Sequence, residues 1–249
     1  MNIAIVLAGG TGTRMNLDIP KQYVKIDNRM IIEYCLETIF TEEILEGVLI
    51  VTENEWRTPV ENIIHSSIWG KDNIEKFLGF AMPGENRQLS IYNGLMEIKL
   101  HRNQWDESKL DEIKQDIIFV HDAARPMLTH TLIKECIKPF EDKSVEGVLP
   151  VLPMKDTIYL SEDGEHVSGL LDRSQLFAGQ APEAFLFDKY LEANEKLLPD
   201  RIKTVNGSTE PAILAGMKIN TIKGDENNFK ITTQADLVRF KKMMIGIVH

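Results

Sequence analysis

Apolar positions along the chain follow two rhythms that alternate from the first residues to about residue 155. Residues 3–7 form an unbroken apolar run of strand length, and residues 47–52 (Gly-Val-Leu-Ile-Val-Thr), 77–82 and 116–120 (Asp-Ile-Ile-Phe-Val) repeat it. Between these runs the apolar residues fall three and four apart, as on one face of a helix: Ile31, Ile32, Cys35, Leu36 and Ile39, then Trp56, Val60, Ile63 and Ile64. Ile91, Leu95 and Ile98 do the same behind a candidate cap, Asn86. Leu132, Ile133, Cys136, Ile137 and Phe140 make a further helical face, and residues 147–151 a further strand. Such alternation predicts an α/β fold, a doubly wound and mostly parallel sheet with helices on both faces.

From residue 155 the rhythm changes. Residues 157–160, a polar turn at 161–165 and residues 167–171 read as strand, turn and strand. A two-stranded ribbon is marginal by itself, so residues 155–173 are expected to form a protruding arm used for dimerisation. An aromatic segment (177–187), a helix (188–198), a strand (218–222) and a last helix (234–244) follow, while the polar residues 102–115 read as an exposed excursion. No repeat or low-complexity linker divides the chain, so residues 1–249 are expected to form one domain with its arm.

Composition narrows the partners. At 249 residues and 43% hydrophobic, the chain is large enough to bury a substantial core. A net charge of -10 without a long Lys/Arg cluster argues against a nucleic-acid or anionic-membrane partner. Neither a signal peptide nor a bilayer-spanning run is expected. Cys35 and Cys136 fall on apolar helical faces, where buried free thiols of a reducing cytoplasm are the ordinary reading. The six histidines show no metal-ligand spacing.

Candidate chemistry gathers where strands end. The first strand runs from Leu7 directly into Ala8-Gly9-Gly10-Thr11-Gly12-Thr13-Arg14-Met15, followed by Pro20-Lys21-Gln22. Glycines and small hydroxyls after a strand expose backbone N–H groups to phosphate oxygens, and Arg14 and Lys21 add two cations. The glycines alone would fit a plain strand-to-helix turn; with the cations the stretch reads as a triphosphate cradle. Residues 83–90 (Pro-Gly-Glu-Asn-Arg-Gln-Leu-Ser) join a loop to a helix start, either a site where backbone groups and Ser90 read a nucleobase or a simple cap. In His121-Asp122-Ala123-Ala124-Arg125-Pro126, Asp122 and Arg125 should emerge at the sheet edge. There the Asp suits magnesium or its waters and the Arg suits phosphate, or the two form a structural pair. Arg173 and Lys230 gain weight only by joining these cations in an acidic chain.

Taken together, these motifs with Asp156-Thr157 and Lys230-Ile231-Thr232 resemble the cytidylyltransferases of the methylerythritol-phosphate and ribitol-phosphate type, in order over nearly the whole chain. The resemblance implies a nucleotidyltransferase fold, CTP as substrate with Mg2+, a homodimer built by an exchanged arm, and a polyol phosphate acceptor. Carried onto this sequence, it assigns Arg14 and Lys21 to the triphosphate in the transition state and the 7–13 loop (Leu7, Ala8, Gly9, Gly10, Gly12 and Thr13) to the nucleotide. Gly84, Glu85, Arg87 and Ser90 would complete the nucleotide site, with Ser90 and the Gly84-Glu85 backbone on the cytosine. Asp122 would lie by the metal. Arg125, Lys230 and, from the partner subunit, Thr157 and Arg173 would hold the acceptor, with Lys230 also counted as catalytic.

Two stretches depart from the family pattern. Phe177-Ala178-Gly179-Gln180-Ala181-Pro182-Glu183-Ala184-Phe185 stands where a Thr-Pro-Gln core is usual, and Asn206-Gly207-Ser208-Thr209-Glu210-Pro211 where the methylerythritol enzymes carry a Thr-Asp-Glu segment. The Gly9-Gly10 pair and Gly179-Gln180 lean toward the ribitol-phosphate branch, so the expected reaction is D-ribitol 5-phosphate to CDP-ribitol, as in teichoic-acid synthesis. The alternatives are methylerythritol 4-phosphate, in isoprenoid synthesis, and a catalytically silent nucleotide-binding homologue. A dinucleotide-binding oxidoreductase would need a third glycine and an acidic residue about 20 positions on, and a P-loop kinase Gly-Lys-Ser/Thr; neither pattern is present.

Overall fold

The computed structural model describes residues 1–10, 18–102 and 115–247. In chain order, strand β1 (Asn2–Leu7) is followed by a small hairpin of β2 (Lys25–Ile26) and β3 (Arg29–Met30), then α1 (Ile31–Thr41) and β4 (Gly47–Val51). Helices α2 (Asn54–Ser66) and α3 (Ile68–Lys71) lead to β5 (Phe77–Ala81), α4 (Arg87–Arg102), β6 (Ile117–Asp122), α5 (His130–Ile137) and β7 (Gly147–Pro153). The arm carries β8 (Tyr159–Leu160) and β9 (Gly169–Leu170), after which come β10 (Phe177–Gly179), β11 (Glu183–Leu186), α6 (Phe187–Glu195), α7 (Glu210–Leu214), β12 (Ile219–Lys223) and α8 (Gln234–Ile247).

Eight strands form one sheet in the order β10-β7-β11-β6-β1-β4-β5, with β12 on β7. The pairs β1–β4, β1–β6, β4–β5 and β7–β12 are parallel, while β10 and β11 run antiparallel to their neighbours. Alternation along β1 sorts the core into two layers. Ala4 and Val6 face Ile32, Leu36 and Ile39 of α1, Val60 and Ile64 of α2, and Ile133 and Cys136 of α5. Ile3 and Ile5 face Ile91, Leu95 and Ile98 of α4, with Tyr190 and Leu191 of α6. A third cluster joins Ile26, Ile31, Ile231, Leu237 and Phe240, and so seats α8 beside the first hairpin. Both cysteines are buried free thiols.

The expected strands and helices are present, with the short helices α3 and α7 in addition and three further differences. The aromatic segment 177–187 contains two strands, hidden in the sequence because Gly179 and Pro182 interrupt its apolar pattern. The hairpin at residues 25–30 was not expected; its strands are two residues long, and only its Asp27-Asn28 turn, with φ of 51° and 61°, carries a hairpin signature. The arm's strands are likewise shortened to two residues each. The expected excursion at 102–115 lies almost wholly outside the described residues.

Candidate functional site

Register places the site. Leu7 at the end of β1 pairs with Val51 of β4 and Asp122 of β6, and Val51 pairs with Ala81 of β5. The carboxyl ends of four parallel strands therefore share one edge. The chain departs from β1 toward β4 on one side and reaches β6 on the other, the kind of switch point where open α/β sheets bind ligands. A cleft of about 450 Å³ opens there. Its walls carry Leu7, Gly9, Gly10, Lys21, Gly84, Glu85, Arg87, Ser90, Asp122 and Lys230, ten of the residues singled out in the sequence.

The first wall is the glycine loop. Gln22 Nε2 donates to the carbonyls of Ala8 and Gly10 at 2.5 and 2.9 Å, and Tyr23 Oη donates to that of Ala8 at 3.0 Å. Tyr23 is stacked on Trp56 and shares a short hydrogen bond with Thr52, so this clamp stands on β4 and α2; burial pushes the Tyr23 hydroxyl up to about 12. The same turn carries Lys21 to the cleft, where it is 8% exposed. Gly9 is needed for contact, since a Cβ there would stand 2.4 Å from Cβ of Pro83 on the neighbouring loop. Ala8 itself is buried behind the cleft.

The second wall begins α4. Asn86 caps the helix through Leu89 N–H at 2.8 Å, as expected. Ser90 Oγ accepts from Gly84 N–H at 3.0 Å and donates to the Asn86 carbonyl at 2.8 Å. Its one proton is thus committed, and what it can still offer a ligand is an acceptor lone pair. Glu85, paired with Lys203 at 3.2 Å, and Glu53 also line the cleft.

At the floor, one carboxylate gathers three cations. Asp122 Oδ1 lies 3.1 Å from Arg87 Nη2, while Oδ2 lies 3.0 Å from Lys230 Nζ and 3.6 Å from Arg125 Nε. Burial would raise the Asp122 carboxyl, but Arg87, Lys230 and Arg125 together hold it well below the usual carboxylate range. As the sequence reading expected, Asp122 stands at the carboxyl edge of the sheet; it is nevertheless the last residue of β6 and only 6% exposed, because its neighbours supply the charge that lets it be buried. Arg125 also donates to the Asn228 carbonyl at 2.7 Å and does not line the cleft. Next to them His121 is fully buried, with Nε2 at 3.0 Å from the Arg125 carbonyl; burial lowers it to about 4.

Magnesium was expected at Asp122. Both oxygens of that carboxylate are taken by cations, and the described residues contain no group of three His, Cys, Asp or Glu side chains able to hold a metal. The described residues thus offer no all-protein cage, and a magnesium ion at Asp122 would take the rest of its shell from waters and substrate phosphates.

Two other expected residues stand apart from the cleft. Thr157 and Arg173 are exposed on the arm and do not line it; Arg173 Nη1 instead donates to the Lys155 carbonyl at 2.6 Å. Gly12, Thr13 and Arg14 lie outside the described residues.

Sequence reasoning gave no role to Glu183. Its carboxylate, 8% exposed, accepts from Ser208 Oγ in a short hydrogen bond and from Thr209 Oγ1 at 3.4 Å, and lies 3.6 Å from Arg87 Nη2. Arg87 is accordingly fixed between two acids rather than turned only to a ligand. Burial raises the Glu183 carboxyl against the pull of Arg87 and Ser208. The signal was in the sequence: residues 177–185 and 206–211, the two stretches that depart from the family pattern, meet at this carboxylate.

Comparison with known proteins gives the family and the fold. The family model for 2-C-methyl-D-erythritol 4-phosphate cytidylyltransferase (IspD) matches residues 2–245. A 2-C-methyl-D-erythritol 4-phosphate cytidylyltransferase of Thermotoga neapolitana is 31% identical over 95% of this chain and 94% of its own. A ribitol-5-phosphate cytidylyltransferase of Lactiplantibacillus plantarum is 28% identical over 95% of both. Among solved structures, the 4-diphosphocytidyl-2C-methyl-D-erythritol synthase of Anaerococcus prevotii superposes with a TM-score of 0.76 at 21% identity, covering 98% of this chain and 95% of that one. That last likeness concerns the fold.

Proposed function

The chain belongs to the 2-C-methyl-D-erythritol 4-phosphate cytidylyltransferase family, and from that premise we propose that it transfers CMP from CTP to a polyol phosphate with release of pyrophosphate. The observation that carries this reading is the meeting of Lys21, Arg87 and Lys230 with two glycine-bearing loops in one cleft at the carboxyl ends of parallel strands. A phosphate monoester with a second pKa near about 6 is already largely dianionic at neutral pH, so it attacks without a general base. One acceptor oxygen forms a bond to the α-phosphorus of CTP, the bond to the bridging oxygen breaks, and the electron pair leaves with pyrophosphate. No proton need move. What the enzyme must do is align two anions and neutralise the charge that develops.

In this scheme Lys21, with Arg14, stabilises the triphosphate. With the Gly84 N–H given to Ser90, the Gly84 carbonyl, the Glu85 amide and the spare acceptor lone pair of Ser90 suit the amide-like edge and exocyclic amine of cytosine. Lys230 holds the acceptor phosphate, with Asp122 fixing that cation before substrate arrives; Arg125, which does not line the cleft, serves by holding Asp122 from behind rather than by touching the phosphate. Thr157 and Arg173 act on the partner's acceptor in a homodimer joined through the arm, a reading supported by exposed Tyr159, Leu160, Val167 and Leu170.

For the acceptor, Gly9-Gly10 and Gly179-Gln180 favour D-ribitol 5-phosphate, whereas the family model and the 31% identical relative favour 2-C-methyl-D-erythritol 4-phosphate. The deciding experiment incubates the protein with CTP, magnesium and each acceptor and measures pyrophosphate. Release with one acceptor identifies the substrate. Release with neither, together with CTP binding, would mark a silent nucleotide-binding homologue.

A further inference from the structure

Lys230 reaches the cleft from residues 224–230, a connection without helix or strand. Its course is set from the neighbouring connection between β10 and β11. There Gln180, 7% exposed, pairs its side-chain amide with both main-chain groups of Asp225: Nε2 donates to the Asp225 carbonyl at 3.1 Å, and Oε1 accepts from the Asp225 N–H at 3.0 Å. Two opposed bonds fix orientation as well as position, because tilting either partner spoils both. The connection is also pressed close: a Cβ on Gly224 would stand 2.4 Å from Gln180 Oε1 and 3.2 Å from the Val151 carbonyl oxygen. Asn228 N–H closes the turn on the Asp225 carbonyl at 3.1 Å, and Asn228 Nδ2 donates to the Ala181 carbonyl at 2.8 Å. Two residues later Lys230 Nζ stands 3.0 Å from Asp122.

We propose that Gln180 is a positioning residue for Lys230: it anchors the turn at Asp225 so that the Lys230 ammonium is held beside Asp122, ready for the acceptor phosphate. Gln180 does not itself line the cleft, so its effect on the reaction passes through Lys230. The proposal rests on the cytidylyl-transfer reading. Because alignment of the attacking group is what the site supplies, misplacing Lys230 by about 1 Å should cost on the order of 100-fold in rate.

The test uses Gln180→Met, which keeps the side-chain volume but removes both hydrogen bonds, and Gly224→Ala, which pushes the connection away from an unaltered Gln180. Each is assayed by pyrophosphate release, alone and combined with Lys230→Met. Each is expected to lower kcat/KM for the polyol phosphate by roughly 10- to 100-fold while leaving KM for CTP within about twofold. In the Lys230→Met background neither should reduce the residual rate further. Hydrogen exchange at the amides of Asp225 and Asn228 should be faster in Gln180→Met. A rise in KM for CTP as large as that for the acceptor, losses that multiply undiminished with Lys230→Met, or unchanged exchange would each overturn the role of Gln180. A wild-type protein that releases no pyrophosphate with any polyol phosphate would overturn the functional reading and this role with it. Full activity in Gln180→Met, with an active wild type, would overturn the role alone.

Discussion

Lys230 Nζ stands 3.0 Å from Asp122 Oδ2, joining the connection before α8 to the end of β6. The same carboxylate holds Arg87 and Arg125, so in this acidic chain the local concentration of positive charge is arranged around buried Asp122, with Glu183 as a second acid on Arg87. An anion entering the cleft meets cations whose positions are already fixed, and little reorganisation remains to be done when charge develops.

Replacing Asp122 by Asn should therefore harm both stability and activity. Neutralisation leaves three cations facing one another, and the expected loss is about 3 kcal/mol, the low end for a broken buried pair because Arg87 and Lys230 are each about a third exposed. The folded-state pKa of Asp122 is lowered, so its stabilisation is fully present above the unfolded value of about 3.9 and is lost only as pH falls through the still lower folded value. Urea unfolding of wild type and Asp122→Asn should thus differ by a constant amount from neutrality down to about pH 4. A difference that fades above pH 5 would contradict the assignment.

His121 gives a dependence of the same sign in a higher pH window. Its folded pKa is depressed to about 4 by burial, against an unfolded value of about 6.5. Above 6.5 it is neutral in both states and contributes no slope; between 6.5 and 4 the unfolded chain takes up a proton that the folded one refuses. Stability should fall over that interval by on the order of 3 kcal/mol from this residue. In His121→Asn, the change in urea midpoint between pH 6.5 and 4 should shrink accordingly. If wild type and variant show the same slope, His121 is not the group responsible.

These relationships differ in how far the sequence reveals them. The strands that deliver Leu7 and, two residues past the apolar run 116–120, Asp122 are plain in the sequence, and parallel pairing then brings their carboxyl ends to one edge, which is why ten expected residues share a cleft. Burial of Asp122 is not readable that way, since it depends on Arg87 and Lys230 arriving from distant parts of the chain. Glu183 and Gln180 are hidden for a similar reason. Each sits beside a residue that breaks the apolar pattern, Pro182 or Gly179, and what it does is decided by partners at Ser208 and Asp225. Short elements such as the residue 25–30 hairpin leave too few positions for a period to show.

Lys21 offers a test of transition-state stabilisation. Its neighbours Gln22 and Tyr23 hold the turn by their own hydrogen bonds, so Lys21→Met keeps the packed stem and removes the ammonium group. We expect kcat to fall by roughly 100- to 1,000-fold with the thermal midpoint changed by a few degrees at most. A variant with wild-type kcat and a raised KM for CTP would instead assign Lys21 to ground-state binding.

The arm is tested through its apolar side chains. Tyr159, Val167 and Leu170 are 60, 67 and 65% exposed on a ribbon whose two strands pair over only two residues each. So short a ribbon buries too little to hold its own shape, and a second copy of the chain covering this face would supply the missing contacts. Val167→Glu with Leu170→Glu should then shift the protein from dimer to monomer in light scattering, because a dimer would have to bury both new charges. If Thr157 and Arg173 serve the partner's cleft, the monomer should retain CTP affinity while its KM for the acceptor rises. A monomeric wild type would remove the arm's proposed role. A monomeric variant with unchanged acceptor KM would leave the arm a purely structural joint and return Thr157 and Arg173 to the solvent-exposed surface.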